Sequence, residues 1–307
     1  KSIGLNVLRS PAFLDAPWRG AYFQSWNPAT NCLQVNTGED GLQRLDHLIA
    51  AAEQAEIRLI LPLVNYWPDF GGMDQYVKWF HARSRNAFYR DPALRNAYQS
   101  YVSQILNREN TLTGRLYKDE PSILAWELAN EPRCADAALL IDWVQQMSRW
   151  IKQNDPNHLL AVGDEGYLTK QFLVVPEIDF GTFHLYPEAW KKRDPVAFGL
   201  RWIEQHLAAG RSAGKPMLLE EYGITSKTSR NGIYTEWLRA IEEQDGAGDL
   251  AWMLASTDDE TGEPYADHDG FTFYSGADVP SICEHVIRFR HAPTPPRDEN
   301  ASDRESS

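Results

Sequence analysis

Cysteine is scarce in this chain of 307 residues, with only Cys32, Cys134 and Cys283 present. Three cysteines cannot all pair with one another, and their wide spacing makes no zinc pattern. One bridge plus a free thiol and three free thiols both stay open, so cysteine usage leaves the compartment undecided. Positive charge is also short. Lysine and arginine total 30 against 43 aspartates and glutamates, a net charge of −13. That balance argues against nucleic acid and anionic membranes as partners, since both require a basic face, and suits a neutral polymer. No apolar run is long enough to span a bilayer, and no signal peptide is visible. No strand is followed by a glycine-rich phosphate loop, and no internal repeat occurs.

What is present is a large potential core. The chain is 43% hydrophobic and 24% charged, a composition that buries a sizeable interior and stays soluble. It holds 11 tryptophans. Most are read as core packing, and the rest as platforms for sugar C–H faces. Apolar runs of strand type recur at 5–10, 58–64, 123–129, 158–162, 178–183, 216–221 and 249–254. Helical periodicity marks 42–55, 93–107, 137–153, 195–209 (ending near Gly210) and 233–243. Alternation of this kind implies a parallel sheet with right-handed crossovers.

Strand order is not legible from periodicity, so the polar residues choose the architecture. Arg9, Asn65, Glu131, His184, Glu221 and Trp252 fall at or just past strand C-termini. In a (β/α)8 TIM barrel those ends converge on one mouth, whereas an open sheet would scatter them. The run Ile123-Leu124-Ala125-Trp126 leads into Asn130-Glu131-Pro132, where proline stops the ladder. Ninety residues on, Met217-Leu218-Leu219 ends in Glu220-Glu221-Tyr222-Gly223. A carboxylate at the end of a buried strand is costly unless it has work to do. Two of them suggest a two-carboxylate glycosidase.

These motifs resemble the endo-β-1,4-mannanases of glycoside hydrolase family 5, over about Leu5 to Val286. The most specific match is ILAWELANEPRC, joined by GLNVLRS, NYWPDFGG with QYVKW, GDEGY, FHLYPEAW, LLEEYG and the strand bearing Trp252. The resemblance implies Glu131 as acid/base and Glu221 as nucleophile. It implies Asn130 as the residue holding the sugar 2-hydroxyl and Arg9 as the neighbour of the nucleophile. His184 and Tyr186 match a His-x-Tyr pair, and Trp252 matches a platform tryptophan. Trp67, Arg133, Glu165 and Trp190 fall where mannanases contact further sugars. The resemblance further implies a β-mannan substrate, no cofactor, secretion and a monomer.

Retaining chemistry needs one carboxyl protonated and one ionised, about 5–5.5 Å apart. Arg9 and Tyr186 are expected to favour the ionised Glu221, and partial burial to raise Glu131. Glu127 is read as a supporting or structural partner. Glu220 is expected to point away from the mouth if Glu221 points into it, because neighbours on a strand face opposite ways. The acidic stretch Asp258-Asp259-Glu260, with Asp267 and Asp269, reads as a solvated loop and not as a metal site.

Two further expectations concern organisation. Residues 1–291 form the catalytic domain, and 292–307 a disordered tail or linker stub, with Asn300-Ala301-Ser302 a weak glycosylation match. The family carries a strand and most of a helix ahead of the segment that here is Gly4 to Ser10. The expectation is therefore a barrel lacking its first strand, open between the Leu5–Ser10 and Asp249–Leu254 strands, with a cost in stability or activity. Readings that compete are an exo-β-mannosidase or cellulase of the same clan, and a catalytically impaired sugar-binding barrel.

Overall fold

The computed structural model describes residues 4–16, 20–30, 32–258 and 261–291. The residues 292–307, Asn300 included, lie outside the described residues, as do Asp259 and Glu260.

Seven parallel strands form the wall. They are β1 (Val7–Arg9), β4 (Arg58–Pro62), β5 (Ile123–Glu127), β6 (Leu159–Ala161), β7 (Gly181–Leu185), β8 (Met217–Tyr222) and β9 (Gly248–Ala251). They pair in sequence order as β1-β4-β5-β6 and as β7-β8-β9. The two sheets meet where Asp179 N donates to Leu160 O at 2.8 Å and Leu160 N donates to the Asp179 carboxylate at 2.7 Å. Two short strands, β2 (Gln24–Asn27) and β3 (Cys32–Val35), form an antiparallel hairpin inside the long connection between Ala12 and Gly41.

The helices cover the outside. They are α1 (Gln43–Gln54), α2 (Gly72–Trp79), α3 (Ala87–Arg90), α4 (Pro92–Leu106), α5 (Ala137–Asn154), α6 (Thr169–Leu173), α7 (Pro195–Ala213), α8 (Arg230–Glu243) and α9 (Pro280–His291). The starts of α4, α5 and α7 are written locally. Asp91, Asp136 and Asp194 each accept a hydrogen bond from a first-turn N–H, and proline opens α4 and α7.

Alternation along the strands sorts the core. Leu59, Leu61 and Trp126 pack outward against helices, while Ile60, Ala125, Ala161 and Phe180 form a separate inner cluster. On that inner face Ala125 is followed two residues later by Glu127, so the apolar floor gives way to carboxylates toward the strand C-termini.

Among the described residues no strand lies between β1 and β9. A cavity of about 460 Å³ opens there, with Leu5, Val7, Leu250, Ile282 and Phe289 in its wall. Helix α7 runs past Gly210 to Ala213, contrary to expectation. Gly210 serves close packing and not termination, since a Cβ there would meet Met217 Cγ at 2.3 Å. Helices α2 and α9 and the hairpin were not foreseen. Cys32, Cys134 and Cys283 are free thiols.

Asp15 anchors the long connection. Gln24 Nε2 donates to Asp15 Oδ1 at 2.7 Å and also contacts Tyr76 at 2.7 Å, while Asp15 Oδ2 is buried without a partner. Burial pushes the Asp15 carboxyl up to about 7. The unfolded chain releases this proton near 3.9. The folded state therefore binds the extra proton between those values, and stability declines as pH rises through that window. Asp15→Asn keeps the acceptor for Gln24 and removes the charge. Its melting temperature is expected to exceed that of the parent at pH 8 and to match it closely at pH 4. A variant less stable at both pH values contradicts this assignment.

Candidate active site

Every wall strand that carries a polar C-terminal residue delivers it to the same mouth. Asn130 and Glu131 follow β5. Their backbone is fixed on both sides, with Asn130 N donating to Val64 O and Glu131 N to Gly163 O, both at 2.8 Å. Gly163 is required here, because a Cβ would lie 2.1 Å from Ala129 O. Glu131 itself adopts a left-handed backbone with φ of 47°. Such strain persists only where surrounding bonds impose it.

The Glu131 side chain is 11% exposed and that of Glu221 9%. One oxygen of each, with a ring nitrogen of His184, lies within 4.8 Å of the others. That spacing belongs to the close carboxylate pairs of retaining enzymes and not to the wide inverting ones. Both Glu221 oxygens are occupied. Arg9 Nη1 donates to Oε1 at 2.5 Å and the Tyr186 hydroxyl to Oε2 at 2.7 Å. Burial, then the Glu221 charge, pushes the Tyr186 phenol well up, so it remains a donor.

Glu131 lies between His184 Nδ1 at 2.6 Å and Trp67 Nε1 at 2.6 Å. Burial pushes this carboxyl up, but the bonds from His184 and Trp67 outweigh it and hold it below the ordinary carboxylate range. The expected raised acid is thus corrected for the open cleft. The physical reason is His184. Burial disfavours its charge, but Glu221, Glu131 and Glu220 together hold the imidazole well above its usual value. One proton resides in the His184–Glu131 pair, on the imidazole side, and it belongs to the pair rather than to either residue.

Asn130 is oriented by its own amide. Its Oδ1 accepts from Arg9 Nη2 at 2.8 Å and its Nδ2 donates to Asn65 Oδ1 at 3.0 Å. Arg133 pairs with Glu165 and stacks 4.7 Å from the Trp67 ring centre. Burial, reinforced by the Glu131 charge, pushes Glu165 up to about 7. Trp190 packs with Tyr186, Tyr167 and Trp202 on one rim. Trp252, 37% exposed, donates from Nε1 to Asp269 at 2.8 Å on the rim beside β9. The structure therefore brings Arg9, Trp67, Asn130, Arg133, Glu165, His184, Tyr186 and Glu221 into one connected set around Glu131. Trp190 and Trp252 stand on its edges.

Glu220 departs from expectation. It does not point away: it is 1% exposed and reaches His184 Nε2 at 3.3 Å and Arg9 Nη2 at 3.5 Å inside the barrel. Strict alternation fails because the β7–β8 register slips. Phe183 pairs with Leu219 but His184 pairs with Glu221, leaving Glu220 as an extra residue. A bulge re-aims one side chain, so consecutive glutamates both face inward. Asn65 was noted only as a strand-end residue, and its bond to Asn130 carried no sequence signal. The acidic loop is tied to the segment before α8, with Lys227 Nζ 2.8 Å from Asp267.

A parallel α/β barrel whose mouth holds two facing carboxyls, braced by an arginine, a histidine and a tyrosine, defines a glycoside hydrolase. Residues 1–238 match the family model described as GH family 5 beta-mannosidase-like, and the chain belongs to that family. It is 38% identical over 297 residues to mannan endo-1,4-beta-mannosidase F of Aspergillus fumigatus, covering 89% of this chain and 64% of that one. It is 37% identical to mannan endo-1,4-beta-mannosidase A of Podospora anserina, covering 93% and 79%. The endo-1,4-beta-mannanase structure from Rhizomucor miehei superposes with a TM-score of 0.87 at 35% identity, covering 94% of this chain and 87% of that one. No helix among the described residues is long and apolar enough to cross a membrane.

Proposed function

We propose that this chain is an endo-acting β-1,4-mannanase that cleaves internal bonds of mannan, galactomannan or glucomannan with retention of configuration. The observation that carries the reading is the Glu131–Glu221 pair, with one oxygen of each within 4.8 Å. In the first step Glu221 attacks the anomeric carbon while Glu131 gives a proton to the departing glycosidic oxygen. In the second, Glu131 takes a proton from water, and the water displaces Glu221. Arg9 and Tyr186 fix the direction of the attacking oxygen. The proton that rests on His184 passes to Glu131 across their 2.6 Å bond as the substrate oxygen arrives. The Asn130 amide, held by Arg9 and Asn65, keeps one N–H for the sugar 2-hydroxyl, a contact that strengthens in the transition state. Trp67, Arg133, Glu165, Trp190 and Trp252 offer stacking faces and hydrogen bonds to further sugars.

The mannan preference and the internal mode of cleavage rest on the names of the relatives. An extracellular site of action follows from a polymeric substrate. Release of reducing sugar from mannan and from cellulose, compared side by side with product sizing, tests the reading. Mannan is expected to yield a spread of oligosaccharides, and cellulose little. Mannose as the sole product indicates an exo-enzyme. No release from either polymer indicates a binding barrel.

A further inference from the structure

Two buried carboxyls below the catalytic pair are not used by the chemistry just described. Glu127 and Glu220 are both fully enclosed on the inner face of the barrel. Arg9 spends two bonds on Glu127 Oε2, from Nε at 3.0 Å and Nη2 at 2.8 Å. Glu220 Oε2 takes His184 Nε2 at 3.3 Å. The remaining oxygen of each, Oε1, meets no donor on any other residue. The two carboxyls are close neighbours, and each shifts the proton affinity of the other. Two carboxylate oxygens can bond only if one carries a proton. A proton shared between the two carboxyls removes one buried charge and offers the orphaned oxygens a partner.

The proton resides on Glu127. Burial pushes Glu127 well up, while Arg9, the bond from Glu127 and His184 together outweigh burial at Glu220 and hold it down at about 2. Glu220 is then the anion that faces His184 Nε2, and Glu131 faces Nδ1 on the other side of the ring.

We propose that Glu220 is a positioning residue: its carboxylate, sharing one proton with Glu127, grips His184 through Nε2 and thereby keeps a proton on Nδ1 for delivery to Glu131. The arrangement has the logic of a carboxylate that orients a histidine toward a third group, with the acid/base glutamate as that group. It rests on the proposed glycosidase reading. His184 is also faced by Glu221 at 3.5 Å and, from the loop after β6, by Asp164 and Glu165. Arg9 and Glu127 stand behind Glu220. Of these, only Glu220 contacts Nε2.

The test uses two substrates and one spectrum. In Glu220→Gln, kcat/KM on mannan is expected to fall roughly 10²-fold, the lower range for lost general-acid help, with the alkaline limb of its pH profile moved to lower pH. On a β-mannobioside with a dinitrophenolate leaving group, which needs no proton, the fall is expected to be under about tenfold. Equal losses on both substrates, or an unmoved alkaline limb, overturn the proposal. Imidazole ¹⁵N resonances, assigned by the signal missing in His184→Gln, report the ring without any activity. The parent His184 is expected to titrate above a free histidine, about 6.5, and lower in Glu220→Gln. A parent midpoint at or below the free value refutes the grip even if no variant folds. An active parent is not required, so failure of the glycosidase reading and failure of this one are told apart. Glu127→Gln can donate its amide to Glu220. It is expected to shift the His184 midpoint less than Glu220→Gln does, and an equal or larger shift contradicts the shared proton.

Discussion

Glu221→Ala is expected to end hydrolysis of mannan, with kcat falling by at least about 10⁴-fold, while mannooligosaccharides still bind. The variant removes the oxygen that forms the covalent intermediate, so no amount of correct positioning restores the step. Binding persists because the stacking faces of Trp67, Trp190 and Trp252 do not depend on Glu221. Arg9 stays in place through Glu127 and Asn130, which take three of its bonds. The truncation also leaves a small space beside the anomeric carbon. Azide added to the variant should occupy it and attack an activated β-mannobioside once, giving the α-mannosyl azide. Inversion in that single step marks Glu221 as the nucleophile. Turnover near the parent rate, or a β-azide, would place the nucleophile elsewhere. Isothermal titration with mannopentaose separates the two losses: heat of binding retained with catalysis gone fits the assignment, and both lost together points to a collapsed mouth.

The parts of this molecule that the sequence disclosed are those where one residue's chemistry decides the local structure. The run from Ile123 to Trp126 is apolar because both its faces are covered, and Pro132 ends it, so β5 and the position of Glu131 were legible. Apolar periodicity placed α4, α5 and α7, whose starts are fixed locally by Asp91, Asp136 and Asp194. What stayed hidden depends on pairing between distant segments. The bulge that turns Glu220 inward arises from how β8 registers on β7, and no residue in Met217–Tyr222 records it. The β2–β3 hairpin has only four residues in each strand and half-exposed faces, too short for alternation to stand out. Gly210 looked like a stop because its neighbour across the gap, Met217, is not visible from the helix alone. The lowered Glu131 carboxyl was missed for the same reason: burial is read from the strand, but its opponent, His184, comes from another.

Glu131→Ala is expected to show the other half of the mechanism, and its effect depends on the substrate. On mannan both steps lose their proton carrier, and kcat/KM should fall about 10³-fold or more. On a dinitrophenyl β-mannobioside the leaving group departs unaided, so the first step is spared and the second is not. The glycosyl-enzyme on Glu221 should then accumulate, visible as a burst of dinitrophenolate equal to the enzyme present and as a covalent adduct by mass spectrometry. Azide needs no general base. It should resolve that adduct and restore turnover, giving the β-mannosyl azide by a second inversion. The alkaline limb of the pH profile should vanish as well, because the pair that holds the proton, His184 and Glu131 at 2.6 Å, no longer exists. The left-handed backbone at Glu131 is imposed by the bond from its N–H to Gly163 O and by the flanking Asn130 N to Val64 O bond, and alanine keeps both. A stable fold is therefore expected, and near-parent melting temperature is the control. Loss of the first step on the dinitrophenyl substrate, with no burst and no azide rescue, would show that Glu131 maintains the site instead of carrying its proton.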